Sequence, residues 1–142
     1  MKAKNSKLST TFKSALFSVV AMSAISFSNV TQANDVERLV ASLCEAAKSD
    51  DRSGMRKKLK SAKLRLRNIY DGIHCGPMGS LLRVATKSGS IEAATFIATK
   101  IGKKNLAAAE SDGKTIVQYT EELVAAGDSS KQAFVDLYNS KL

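Results

Sequence analysis

The chain has no tryptophan, one histidine and one proline among its 142 residues. A lone His74 with two cysteines cannot supply the three or four ligands of a zinc site, and their spacing matches no metal pattern. No metal and no cofactor is expected. No carboxylate pair stands out for acid–base work: Asp50-Asp51 reads as a helix exit and Glu121-Glu122 as a solvated face. Phosphate-cradling loops are missing too, since Gly76-Pro77-Met78-Gly79 has neither the spacing nor a lysine. β-branched runs are few, and alternation is confined to Leu64-Arg65-Leu66-Arg67, which gives sheet folds little support. His74 stands next to Cys75, but adjacent side chains on an extended chain point apart, and a thiol nucleophile needs an imidazole within hydrogen-bond reach. No catalytic residue is expected, and the protein reads as a non-enzyme.

The N-terminus carries Lys2, Lys4, Lys7 and Lys13 with no acid among them, then an apolar run from Ala15 to Phe27 and the small-residue pattern Thr31-Gln32-Ala33. That is the pattern of a secretory signal peptide, with cleavage expected after Ala33. The run is well short of the roughly twenty apolar residues that span a bilayer. Residues 1–33 are therefore expected to be a leader and 34–142 a single periplasmic domain. Removing the four leader lysines from 22 basic residues leaves 18 against 13 acids, so the working protein is far less basic than the whole chain at +9. Export removes most nucleic acid partners as well. In an oxidising compartment Cys44 and Cys75 read as one disulfide. Closing a loop of that length should stabilise a small fold by about 3–4 kcal/mol.

Along the mature chain the apolar spacing is helical. Val36, Leu39, Val40, Leu43 and Ala47 share a face, with Asn34 and Glu37 placed as a capping box and a turn at Ser49-Asp50-Asp51. Met55, Leu59, Ala62, Leu66 and Ile69 form one stripe, which predicts a single helix over 55–70, broken at Asp71-Gly72. Ser80 is placed to cap Leu81–Lys87, which stops at Ser88-Gly89. Ser90 is placed to cap the next helix, with Ile91, Ala94, Ile97 or Ala98, and Ile101 inward and Gly102 at its end. Leu106-Ala107-Ala108-Ala109 fits a short helix. Thr115 with Gln118 forms a second capping box, opening a helix to about Ala125. A last helix, about Ser130 to Tyr138, puts Ala133, Phe134, Leu137 and Tyr138 on one side. The expected class is all-α, six or seven short helices joined by tight turns.

Three segments share a large apolar residue followed three positions later by a small one. They are Leu43-Cys44-Glu45-Ala46-Ala47-Lys48-Ser49-Asp50, Leu82-Arg83-Val84-Ala85-Thr86-Lys87-Ser88-Gly89, and Val117-Gln118-Tyr119-Thr120-Glu121-Glu122. The stretch from Ser80 to Gly89 resembles the first helix of an ankyrin repeat, Thr-Pro-Leu-His-x-Ala-Ala-x-x-Gly. Asp112-Gly113-Lys114-Thr115-Ile116-Val117 resembles its Asp-Gly-x-Thr-Pro-Leu opening. Leu81 and Ile116 stand where that family has proline, Arg83 and Gln118 where it has histidine, and Asp50 where it has glycine. The resemblance implies stacked short helical hairpins, ankyrin-like, sharing one core. A generic small helical bundle is the alternative.

A second resemblance runs from about Val36 to Lys100. Cys44, Leu64-Arg65-Leu66-Arg67, Tyr70-Asp71-Gly72-Ile73, Cys75 and Ser80-Leu81-Leu82-Arg83 are similar to an exported bacterial family catalogued only as domain of unknown function 3718. It implies a periplasmic location and paired cysteines, and no activity.

The most unusual feature is charge. Eight basic residues lie between Arg52 and Arg67 with no acid among them. Arg56, Lys57, Lys58, Lys60, Lys63, Arg65 and Arg67 are the candidate partner-binding residues, on an expected basic helix over 52–67. A solvated face neutralised by nearby acids is the bland reading. No aromatic is interleaved before Tyr70, which argues against base stacking, and no tryptophan or phenylalanine anchors the run in a membrane interface. The expected function is a small interaction module for an envelope protein. The alternative is a binder of anionic envelope lipid or polysaccharide through the basic helix.

Overall fold

The computed structural model describes the backbone from residue 28 and side chains from residue 33, to residue 142. The apolar run Ala15–Phe27 of the expected leader lies outside the described residues. Seven α-helices follow: α1 Ser28–Lys48, α2 Arg52–Ser61, α3 Leu66–Ile69, α4 Leu81–Ser88, α5 Ile91–Ala107, α6 Ile116–Ala125 and α7 Gln132–Asn139. Short 3-10 turns at Tyr70–Gly72, Gly76–Met78 and Ser129–Lys131 complete the order. Among the described residues there is no strand, so the class is all-α.

The helices pack in consecutive pairs, α1 with α2, α4 with α5 and α6 with α7. The first members touch in series, α1 against α4 and α4 against α6, and so do the second members, α2 against α5 and α5 against α7. Leu43, Met55, Leu81, Leu82, Ile97, Ile101, Leu106, Ile116 and Tyr138 are fully buried between them. α3 packs on α5 and closes one side of the core with Leu66.

Helix ends explain the pairing. α4 stops at Gly89, φ 75°, where the Ser90 N–H donates to the Ala85 carbonyl and the Gly89 N–H to Thr86. α6 stops the same way at Gly127, φ 105°, with Asp128 N–H on Leu123 and Gly127 N–H on Val124. α1 turns at Asp50, φ 58°, with Asp51 N–H on Ala46. Each left-handed residue satisfies carbonyls that a helix end would otherwise strand. Neighbouring turns are tied as well. Ser90 Oγ donates to the Lys48 carbonyl at 3.0 Å, and Lys131 Nζ reaches the Lys87 carbonyl at 3.4 Å.

Several expectations need correction. α1 runs through Ser28–Lys48, so Asn34 is an exposed residue inside the helix and not its cap. The single helix over 55–70, and with it the basic helix over 52–67, is two helices with a turn between them. α2 ends in a left-handed turn at Lys63, φ 54°, where Leu64 N–H donates to Leu59 and Lys63 N–H to Lys60. Arg65 is then extended before α3 begins, which leaves Ala62 exposed instead of in the stripe. Ser90 sits at the N-cap of α5 without capping it through its side chain; the Asp50 carboxylate takes the Ala93 N–H at 2.7 Å in its stead. Gly102, φ 79°, kinks α5, and helical turns resume to Ala107. In α7 Ala133 is exposed and Val135 is buried, because the 3-10 turn Ser129–Lys131 rotates the helix entry. The Ser80 cap and the Thr115–Gln118 capping box stand as expected.

Candidate anion-binding site

Asp51 opens α2 by accepting the Gly54 N–H at 2.7 Å. Met55 and Leu59 bury one face of that helix, so Arg56, Lys57 and Lys60 point outward and Lys58 is half-buried. Arg52 ties α2 to α5 through Glu92 at 3.1 Å. The turn at Lys63 then folds the chain back, and Leu66 anchors α3 in the core. Asn105 Nδ2 donates to the Arg67 carbonyl at 3.1 Å. The Arg67 guanidinium lies over the kink of α5, where a Cβ on Gly102 would sit 3.2 Å from its Nη2.

This folding makes a cleft of about 540 Å³ between α2, the turn, α3 and α5. Its charged lining is Arg56, Arg65, Arg67 and Lys100, and its apolar lining Leu59, Leu64, Leu66 and Phe96. Arg56, Arg65 and Arg67 of the expected residues therefore converge. Lys57, Lys58, Lys60 and Lys63 do not line the cleft; all but Lys58 stand exposed on the adjoining surface. Lys100 and Phe96 were missed by the sequence reading. They lie one helical turn apart on α5, with the ammonium 6.0 Å from the ring centroid. Among the described residues, none of the seven candidate cations has a carboxylate within 4.0 Å.

Glu110, Asp112, Glu122 and Asp128 are engaged with other cations. Arg83, 12% exposed, pairs with Glu110 and donates to both oxygens of Asp112 at 2.8 and 2.7 Å. Its guanidinium stacks 4.3 Å from the Tyr119 ring centroid. Ser80 Oγ donates to Glu110 at 2.6 Å, joining the α4 cap to the same group. The Arg83 hydrogen bonds, then the Lys114 N–H, hold the Asp112 carboxyl down to about 2. Burial raises the Tyr119 phenol, and burial likewise pushes Tyr70 and Tyr138 well above the ordinary tyrosine range. Lys114 pairs with Glu122, and Lys131 with Asp128. This network clamps the 108–115 loop to α4. Its charges are paired with one another, which suits a structural latch.

Cys44 and Cys75 form a disulfide, Cα–Cα 5.7 Å, joining α1 to the loop before α4. The Cys75 sulfur is thus bonded and is no nucleophile beside His74. Among the described residues no group of three or more His, Cys, Asp or Glu side chains is placed to hold a metal ion. Among the same residues no helix is long and apolar enough to cross a membrane.

Residues 43–108 match the model of a family described as "Protein of unknown function (DUF3718)". The matched segment holds both cysteines, the whole basic surface and the α5 wall of the cleft. It overlaps most of the span, Val36 to Lys100, that the sequence resemblance covers. No curated protein and no solved structure matches the chain.

Proposed function

We propose that this protein is a small non-enzymatic binding module that works in the periplasm and engages anionic lipid of the envelope through the basic face of α2, the 62–65 turn and α3. The observation that carries this reading is the absence of carboxylate partners for Arg56, Lys57, Lys58, Lys60, Lys63, Arg65 and Arg67 among the described residues. A basic surface that is only solvated is commonly laced with acids. Here cations repel one another, and Arg52, Arg56 and Lys60 stand four apart on one helix, each such pair costing tenths of a kcal/mol. An anionic surface relieves that repulsion.

The disulfide supports export, since such bonds persist in oxidising compartments. The serial packing of three helix pairs supports an ankyrin-like platform that leaves one face free for a partner. With no tryptophan in the chain, contact is expected at headgroup level.

The test is sedimentation with vesicles of phosphatidylcholine alone or with phosphatidylglycerol, alongside an anionic polysaccharide, at low and high salt. Binding to the anionic vesicles alone, falling with salt, is the expected result. Each lysine near an anionic surface contributes about 1 kcal/mol, so Lys57→Gln with Lys60→Gln should weaken binding about thirtyfold. Binding to polysaccharide alone, or to neither, overturns the lipid reading.

A further inference from the structure

We propose that the cleft between α2, α3 and α5 is a site for one single-chain anionic amphiphile, with its phosphate or carboxylate head on the arginines and its acyl chain on the apolar floor. The inference deepens the reading of the basic face as a lipid-binding surface and rests on it.

Three observations carry it. First, the cleft's charge has one sign: Arg56, Arg65, Arg67 and Lys100 line it, and no carboxylate does. Guanidinium groups present paired donors that match the oxygens of phosphate and carboxylate. Second, the floor between these cations is hydrocarbon. Leu59, Leu66 and Phe96 form its base, each no more than 6% exposed, and Leu64, 39% exposed at the lip, is the apolar side chain most open to a ligand. A polysaccharide would need hydrogen-bonding groups there, and Asn68 is the one uncharged polar side chain in the lining. A headgroup alone would leave Leu64 uncovered. Third, about 540 Å³ lies within the usual range of small-molecule sites, about 300–1,000 Å³. A cleft of that size has room for one small molecule, whereas Lys57, Lys60 and Lys63 on the surface outside it are placed to meet many headgroups at once.

Arg67 connects the two halves. Its carbonyl is held by Asn105, and its guanidinium lies over the Gly102 kink. A Cβ at Gly102 would come within 3.2 Å of that guanidinium, so the glycine leaves the space in which this cation rests.

The experiment is calorimetric titration of the disulfide-bonded chain with a series of alkyl phosphates below their micelle concentrations. Inorganic phosphate and a neutral alkyl maltoside serve as head-only and chain-only probes. Dodecyl phosphate should bind with one-to-one stoichiometry, and each added methylene should tighten binding about fourfold, the equivalent of about 0.8 kcal/mol. The two partial probes should bind at least a hundredfold more weakly. Leu64→Gln, at an exposed position that the core does not need, should weaken dodecyl phosphate about tenfold, and Arg65→Gln should weaken it similarly. Circular dichroism reports whether each variant keeps its helices. A chain-length series with no gradient, or inorganic phosphate binding as tightly as dodecyl phosphate, overturns the proposal. If dodecyl phosphate fails while anionic vesicles still bind, the cleft proposal falls and the surface reading stands. If vesicles fail and dodecyl phosphate binds, the surface reading falls alone.

Discussion

Thr86 and Tyr138 show how one hydroxyl depends on another in the core. Thr86 Oγ1 donates to the Leu82 carbonyl at 2.7 Å, so at its 2.7 Å contact with Tyr138 the phenol is the donor. Tyr138→Phe removes that donor and leaves Thr86 bonded to Leu82. Thr86→Val leaves a fully buried phenol with no acceptor. An unmade buried hydrogen bond costs about 1–3 kcal/mol, a lost one about 0.5–1.5 kcal/mol. Thr86→Val should therefore destabilise the protein more than Tyr138→Phe, as read from urea midpoints. Equal effects would mean that the phenol finds another acceptor. Asp112 gives a second test at this scale. Its carboxyl lies below its ordinary 3.8, at about 2, because Arg83 and the Lys114 N–H favour the charged form. A lowered folded-state value stabilises the fold above the unfolded value, and that contribution is lost as pH falls through the folded one. The difference in urea midpoint between the wild type and Asp112→Asn should be constant above about pH 4 and vanish toward about pH 2. A difference that is flat across that range would assign the contact to shape and not to charge.

At the scale of elements, what the sequence revealed and what it hid both turn on how helices end. Glycine marks the ends at Gly89 and Gly127, and the sequence pattern places the first at Ser88-Gly89 and the second just after about Ala125. Asp50 and Lys63 perform the same left-handed turn without glycine. Lys63 gave no signal, and the stripe Met55, Leu59, Ala62, Leu66, Ile69 keeps its helical spacing straight through the break. Two helices that each bury their own face can share one period by accident of register. Lys63→Gly tests this directly. Non-glycine residues pay about 1 kcal/mol in this conformation, so the substitution should raise stability by about 0.5–1 kcal/mol in urea unfolding, despite a loss of side chain. A decrease would show that the lysine stem packs on the fold. Gly102→Ala should go the other way, losing about 1–2 kcal/mol, because alanine meets both φ 79° and the Arg67 guanidinium. Combining it with Arg67→Ala should recover the part due to contact and leave the part due to backbone. The expected side-chain caps at Asn34 and Ser90 fail for a related reason. A capping signature is local, whereas α1 runs on past the first and Asp50, from a neighbouring turn, replaces the second.

For the whole molecule, the disulfide and the charged surface are one arrangement. The bond joins residues 31 apart, and every candidate cation lies inside the loop it closes. The sequence revealed the cations and the paired cysteines. It hid the cleft, because its far wall, Phe96 and Lys100, comes from α5, beyond the loop, and only the fold brings it to Arg65 and Arg67. The basic segment buries few large side chains of its own, chiefly Met55, Leu59, Leu66 and Tyr70, and its cations repel. Such a segment is the part of the chain most in need of a covalent tie. The chain-entropy account gives about 3–4 kcal/mol for a loop of this size, a large share of the 5–15 kcal/mol typical of small domains. Cys44→Ser with Cys75→Ser should lower unfolding stability by about that amount. The loss should not be spread evenly: amide exchange should accelerate most across α2, the 62–65 turn and α3, and least in α6 and α7, which pack on each other and lie outside the loop. Raising salt should restore part of the stability by screening the cations. Uniform acceleration through all seven helices would mean instead that the bond steadies the core as a unit and that the basic surface holds its shape without it.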